Sequence, residues 1–524
     1  MSRSSSSNEE TQRLLEEYSK GLQKDIHKRR FGSTDSIESN NDQPKDKSKS
    51  KYGKGLVLLC VLLLAFGSHY SGHALGSLKA DLKKNMQITN HEYGVLQSSV
   101  ALVNTILPVI GGLSIDKFGT SKGSILATSF ITLGTIMVAI STNISYFPMM
   151  IIGRLVYGLG SGTIVIIQGA IITHWFKDSH LSSIMGMKMI SSRVASFLAM
   201  ASVIPIAQKT GFYGNGFWLA AILCILSLLF NIFFVILSNK QKEELSNEEL
   251  EDLKKKKKFE YKDIFQLPKL FWLFGLISFT LAACSNTFLH FNTELLMLRF
   301  ELPDSKAGYI ASLSQLFPLI LPPLTGAFID RFGGRLTIAI SSGMTYCISI
   351  YLLGFTFVNP IIGMLLFSYS LSVGPVSFLS GVSVLISDLG IGTALGLYKS
   401  SMNIAASFQD ILVGNLQLTD QKQNHVILNE LISNYSQNGN IHAYDKVMLF
   451  MLITGIIGLV FTLVLFIFDK IQYHSKLNVN SKKLKEIEQL YVENRSYSSL
   501  NKVSIIIYSI SLVSCWLLFG YSLF

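Results

Sequence analysis

Gly112-Leu113-Ser114-Ile115-Asp116-Lys117-Phe118-Gly119 and Gly326-Ala327-Phe328-Ile329-Asp330-Arg331-Phe332-Gly333-Gly334-Arg335 are two copies of one pattern, each placed where an apolar run ends. Asp330 follows Asp116 by 214 positions, so the chain reads as two similar halves in tandem. Gly112 and Gly326 suit close helix approach, and Gly119 and Gly333 suit a tight turn. A carboxylate at such a helix end can face the positive N-terminal end of a helix from the other half. The helix starting near Gly392-Thr393 is the candidate partner of Asp116, and Lys117, Arg331 and Arg335 would fix the loops at the interface. Two homologous bundles with matched hinges are the build of a carrier whose halves rock around a central site.

Composition agrees. Hydrophobic residues make up 49% of the 524 and charged residues 15%, which excludes an ordinary soluble protein of this length. The net charge of +11 lies in tails and loops between apolar runs, which is a membrane orientation signal and not a nucleic-acid face. The five cysteines (Cys60, Cys224, Cys284, Cys347 and Cys515) fall in apolar runs without metal or disulfide spacing and read as packing or lipid-facing residues. No phosphate-binding Gly-rich loop and no metal-ligand cluster is visible, so neither enzyme chemistry nor a cofactor is expected.

Runs of bilayer-crossing length, about 20 residues each, are expected at 55–78, 93–115, 123–142, 148–172, 183–206 and 216–238, then at 269–297, 306–329, 336–357, 360–386, 391–415 and 446–468. A thirteenth closes the chain at 501–523. The expected fold is therefore an all-α membrane protein with a 6+6 arrangement plus one C-terminal helix. Its parts are a disordered tail (1–52), a six-helix bundle (53–238), a linker (239–268), a second bundle (269–468), a polar segment (469–500) and the extra helix (501–524).

Lys45 to Lys54, Lys254 to Lys258, and Lys470 to Lys485 put the tail, the linker and the segment after helix twelve on one side, the cytosol. The lysine run of the linker reads as a solvated stretch, with anionic lipid as the alternative. In the tail, Glu10-Thr11-Gln12-Arg13-Leu14-Leu15 fits the acidic dileucine pattern (Glu10, Leu14, Leu15) read by clathrin adaptors, and implies a lysosomal or vacuolar membrane, with endosome or plasma membrane as alternatives. Asn434-Tyr435-Ser436 is a glycosylation sequon in a luminal loop, whereas Asn143 lies close to the membrane and Asn494 on the cytosolic side. An accessory membrane glycoprotein is a further candidate partner, which the glycosylated loop and extra helix could make unnecessary.

The paired repeats, together with Arg154-xxx-Gly158-x-Gly160, resemble the major facilitator superfamily over residues 52–470. Within it, Phe66-Gly67-Ser68, Gly153 to Gly160, Trp175-Phe176-Lys177, Lys262 to Pro268 and Gly392 to Gly396 are similar to the lysosomal dipeptide uniporter family. That resemblance implies transport of a small organic solute by alternating access. An Arg stands at the position of Arg193 in that family, in a similar Ser-x-Arg-x-x-Ser context, and is implicated in holding the substrate carboxylate. One departure stands out: the dipeptide-carrying relatives have an acidic residue after the Gly run of helix four, where this chain has Ser161-Gly162-Thr163. Either Glu294 or Asp410 replaces it, or the solute is not a zwitterionic peptide.

Charged residues inside apolar helices are costly unless they face a watered cavity or a partner, so they are the functional candidates. Arg193 lies near the middle of helix five, where its planar guanidinium could hold a carboxylate bidentately or could pair with an acid. His69 and His73 share a face of helix one with Tyr70 alongside, as solute ligands, proton acceptors or polar packing residues. Gln168 and Asn403 are neutral cavity candidates. Arg154 reads as a packing brace. Lys399 and Asp410 share a face of helix eleven but lie too far apart to pair, and His290 with Glu294 sits near the luminal end of helix seven, as a gate or as exposed interfacial groups. A sugar or other proton-coupled carrier, and a non-transporting sensor on the same fold, are the alternative readings.

Overall fold

The computed structural model describes residues 47–176, 181–242, 267–385, 391–431, 442–473, 475–480 and 499–523, with the backbone alone at 47–54, 108–120, 173–174, 176, 181–183, 185, 239–242, 269, 391–395, 418–431 and 499–502. The dileucine motif, the linker lysines and the sequons at Asn434 and Asn494 lie outside the described residues. Two units are separated, 1–53 and 54–524, and apart from residues 47–53 everything that follows belongs to the second.

Every regular element among the described residues is helical. The first half holds α1 (Lys47–Leu63), α2 (Phe66–Ser77), a short α3 (Lys79–Met86), α4 (Asn90–Val103), α5 (Leu107–Ile144), α6 (Phe147–Phe176), α7 (Leu181–Thr210) and α8 (Gly214–Lys242). The second holds α9 (Lys269–Ile277), a π-turn at Ser278–Ala282, α10 (Ala283–Leu289), α11 (Asn292–Arg299), α12 (Asp304–Ser312), α13 (Leu316–Phe332), α14 (Arg335–Phe355), α15 (Pro360–Leu385), α16 (Ile391–Leu431) and α17 (Asp445–Gln472). The thirteenth expected helix is α18 (Ser499–Ser522).

Among the described residues, eleven helices are long and apolar enough to cross a membrane, two fewer than the thirteen expected runs. The missing two are helix two and helix eleven, and the causes differ. Helix eleven is α16, which is long but too polar, carrying Lys399, Asn403, Gln409, Asp410 and Gln417. Helix two is interrupted at Asn104–Ile106, and α5 then runs unbroken for 38 residues through Gly119, where a turn was expected. Pro108 explains the shift, because it has no N–H for the Asn104 carbonyl four residues back, whereas it suits the first turn of a new helix. Gly119 and Gly123 cost a helix only about 1 kcal/mol each, too little to break it. The side chains of Asp116 and Lys117, like those at Gly392-Thr393, are outside the described ones.

The second repeat does turn. Gly333 and Gly334 have φ of 79° and 80°, between the end of α13 and the start of α14. The amide of Gly334 donates to the Asn478 carbonyl (2.9 Å), buried Arg335 donates Nη1 to the Val479 carbonyl (2.6 Å), and Asn478 Oδ1 accepts from the Leu336 amide (3.2 Å). The repeat is thus fastened to the segment after helix twelve. A Cβ on Gly326 would meet open space, so this glycine is not at a close helix approach. At Gly333 a Cβ would come within 2.5 Å of the Asn478 carbonyl oxygen, on a backbone of φ 79° and ψ −145° that only glycine adopts readily. Gly333→Val is therefore expected to destabilise the protein by about 1–3 kcal/mol, read as a lower thermal midpoint in detergent, with Gly326→Ala close to wild type in the same assay.

The outward surface is apolar, as a lipid-facing surface must be: Leu126, Leu133, Leu226, Leu229, Ile456 and Val460 are all exposed. Four of the five cysteines are buried and Cys347 is half-buried, all as free thiols, so they pack the helices. α18 lies along helices two and eleven. The hydroxyls of Tyr508 and Ser400 bond, Trp516 Nε1 donates to Thr105 Oγ1 (3.3 Å), and His91 Nε2 meets the Ser522 carbonyl (3.3 Å).

Candidate functional site

Among the described residues, the ion pairs that join the two halves lie at the end that the lysine pattern assigns to the lumen. There Glu294, at the first turn of α11, is buried at 4% exposure and receives two lysines from α3 of the other half. Lys79 Nζ lies 2.8 Å from Oε2 and Lys83 Nζ 2.9 Å from Oε1. The Tyr444 hydroxyl also donates to Oε2. Lys79, itself 1% exposed, donates further to Gln417 Oε1 (2.7 Å) and the Tyr444 hydroxyl (3.0 Å). A buried charge pair persists only when its remaining donors and acceptors are met, and here they are.

The backbones close in alongside. A Cβ on Gly94 would lie 2.4 Å from the Asp410 carbonyl oxygen, and one on Gly414 would lie 2.4 Å from that of Asn90, so α4 and α16 touch backbone to backbone. Tyr93 donates to the His290 carbonyl (2.8 Å), Gln97 to the Tyr93 hydroxyl (2.7 Å), and Arg154 Nη2 to Gln97 Oε1 (3.1 Å). His290 Nδ1 pairs with Asp410 Oδ1 at 2.9 Å within the second half, leaving Asp410 Oδ2 without a partner. Lys79, Tyr93, Gln97, His290, Asp410 and Gln417 share the walls of one small cavity in this seal.

Burial pushes the Glu294 carboxyl up, but Lys79 and Lys83 and the bonds from Lys79 and Tyr444 outweigh it and hold it down at about 2. For Lys79, burial is the larger effect and lowers the ammonium to about 8 against the attraction of Glu294. The signs follow. A carboxyl lowered on folding lends stability above its unfolded pKa, about 4.3, and loses it as pH falls through the folded one. A lysine lowered on folding is a constant cost below about 8. Both groups are charged between pH 5 and 7. The midpoint difference between wild type and Glu294→Gln is accordingly expected to be flat over that range and to shrink below about pH 4, as thermal scans across a pH series would show.

The mid-bundle candidates stand elsewhere. Arg193, half-buried on α7, donates Nη1 to Gln315 Oε1 of the other half at 3.3 Å. The charges acting on His69 come from Arg193, Lys188 and Lys399, and those acting on His73 from Arg193, His290 and His69. Both histidines are half-buried, and Lys399 is exposed. These residues therefore form one basic cluster spanning both halves. Three other candidates are bonded within the bundle: Tyr70 to Ser202 (2.7 Å), Gln168 Nε2 to the Val61 carbonyl (2.7 Å) and Asn403 Nδ2 to the Asn104 carbonyl (2.8 Å). Arg154 also lies over the Tyr157 ring, 5.3 Å from its centroid, as a brace between helices four and two.

Sequence reasoning had passed over Lys79, Lys83, Tyr93, Gln97, Gln417 and Tyr444, whose role depends on partners far away in the chain. Lys188 could have been found, since a lysine five residues before Arg193 in the same apolar run meets the criterion that picked out Arg193.

Two six-helix halves, sealed at one end and carrying a charged cluster between them, define the architecture of a secondary carrier. The profile of the Major Facilitator Superfamily matches residues 58–409, and the chain belongs to that family. It is similar to the proteins named lysosomal dipeptide transporter MFSD1 of Mus musculus (24% identity) and Homo sapiens (25%), in each case over 68% of this chain and 79% of the relative. Among solved structures it resembles the nucleoside transporter NupG (TM-score 0.60, 14% identity, 78% of this chain and 100% of that one). It also resembles the E. coli xylose transporter XylE in a partially occluded inward-open conformation (TM-score 0.58, 15% identity, 79% and 98%). A third is a bacterial homolog of the human lysosomal transporter Spinster, inward-facing (TM-score 0.58, 12% identity, 79% and 97%). At these identities the structures bear on the fold alone. The relatives' names agree with the lysosomal membrane expected from the tail.

Proposed function

We propose that the protein carries a small organic solute bearing a carboxylate across the lysosomal or vacuolar membrane by alternating access, with Arg193 holding the carboxylate. The observation that carries this reading is a guanidinium in the middle of the bundle whose described hydrogen bond goes to a neutral amide of the opposite half, Gln315. A cation so placed needs an anion, and a solute that supplies one touches both halves. The names of the MFSD1 relatives make dipeptides and amino acids the first classes to try.

In this reading the Lys79–Glu294 seal is the luminal gate, with His290, Asp410 and Gln417 completing it. The second repeat (Gly326, Asp330, Arg331, Gly333, Arg335) and the first (Gly112, Asp116, Lys117, Gly119) serve the cytosolic side. Glu10, Leu14 and Leu15 engage a clathrin adaptor, and Asn434 carries the glycan. The test is flux into proteoliposomes from a library of dipeptides, amino acids and sugars at pH 5 and pH 7. Concentrative or exchange flux of a carboxylate-bearing solute supports the reading. Flux of neutral sugars alone sinks it.

A further inference from the structure

Three cations stand on helices of the two halves: Lys188 and Arg193 on α7 of the first and Lys399 on α16 of the second, with Arg193 reaching across to Gln315. Arg193 and Lys399 are close enough for each other's charge to be felt, and both act on His69. Their described partners are all uncharged. Arg193 bonds Gln315 (3.3 Å), Lys188 the Val165 carbonyl (2.7 Å), and Lys399 the Met402 thioether (3.8 Å). Among the described residues, no Asp or Glu forms an ion pair with any of the three.

Among the described residues, two acids inside the bundle are engaged at the luminal seal, Asp410 through one oxygen. Glu294 is held by Lys79 and Lys83, and Asp410 by His290, all at the luminal seal. Helix four offers Ser161-Gly162-Thr163 and no carboxylate. Beside Arg193, Gln315 is fully buried and its Nε2 amide has no acceptor. The site therefore presents donors and positive charge from both halves, and the described acceptors that these cations bond are all neutral.

A zwitterion brings one negative charge and one positive, and leaves most of this charge unanswered. A solute with two anionic groups answers Arg193 and Lys399 together. It also removes the repulsion that grows when the halves close on an empty site, since like charges at short range in a poorly solvated space oppose each other strongly. We infer that the central site selects solutes carrying two anionic groups, a dicarboxylate or an acidic dipeptide, with one anion held by Arg193 and Gln315 and the other by Lys399. This rests on the transport reading above and narrows its substrate class.

The test is competition in proteoliposomes at pH 7 among Glu-Glu, succinate, Ala-Ala and Lys-Ala, with wild type, Lys399→Gln and Lys399→Arg. For wild type, Glu-Glu or succinate is expected to half-saturate at about one-tenth the concentration of Ala-Ala, a factor of ten per 1.4 kcal/mol. Lys399→Gln should bring the two classes within about threefold of each other while Ala-Ala flux persists, and Lys399→Arg should keep the preference. Stabilisation of the detergent-solubilised protein by Glu-Glu, read as a thermal shift, reports binding separately from flux and shows that each variant is folded. Ala-Ala or Lys-Ala carried as well as Glu-Glu overturns the inference and leaves the transport reading standing. No flux of any solute by folded wild type overturns both.

Discussion

Glu294→Ala should unlatch the luminal end of the bundle. The carboxylate is the common acceptor for Lys79, Lys83 and Tyr444, and Lys79 is buried with only neutral oxygens left once it is gone. Removing one partner of a buried ion pair costs about 3–5 kcal/mol, because the other charge remains without compensation. Part of that loss can be recovered by opening the seal and letting water reach Lys79, so the variant is expected to favour luminal exposure as well as to melt earlier. The control is Glu294→Ala combined with Lys79→Met, which removes both charges and should melt later than Glu294→Ala alone. Thermal midpoints together with labelling of a cysteine introduced at Thr287, which lines the sealed cavity, would read both effects. If Glu294→Ala melts with wild type and stays closed, the pair is not a latch.

Arg193→Ala should abolish saturable flux at solute concentrations near the wild-type half-saturation point. A hydrogen bond to a charged group is worth about 1.5–3 kcal/mol, and a bidentate guanidinium–carboxylate contact lies at the upper end. The expected weakening is thus about 10- to 150-fold. Arg193→Lys keeps the charge but loses the planar fork, and should recover only a minor part of the loss. The empty protein should be no less stable without the guanidinium, since in the absence of solute its described bond is to Gln315 alone. Flux therefore separates from thermal stability at this position, whereas at Glu294 the two move together. Wild-type flux from Arg193→Ala would remove it from the solute site.

The fold was legible because membrane solvation imposes long apolar runs, and the duplicated repeat exposes the two halves. Legibility failed where local signals competed. The glycine of the first repeat suggested a turn at Gly119, yet Pro108 moves the break to Asn104–Ile106 and lets α5 continue. In the second repeat, Gly333-Gly334 does turn, with backbone angles that favour glycine and with Asn478 as its anchor. Of the site, Arg193 was readable as a charge in an apolar run. Glu294 and His290 were readable only as two groups on one helix face, with gate and exposure equally open.

By itself the sequence determined the class of the protein: an all-helical membrane carrier of two similar halves, with a cation at its centre. Those properties follow from hydrophobic length, repetition and the cost of a charge in lipid, all of which are local to each helix. Only the tertiary structure decided which charges meet. Lys79 and Glu294 stand 215 positions apart, and Arg193 and Lys399 stand 206 apart, yet the first pair neutralises itself and the second does not. Whether a buried charge closes a gate or waits for a solute depends on what lies within about 4 Å of it, and chain order carries no record of that distance.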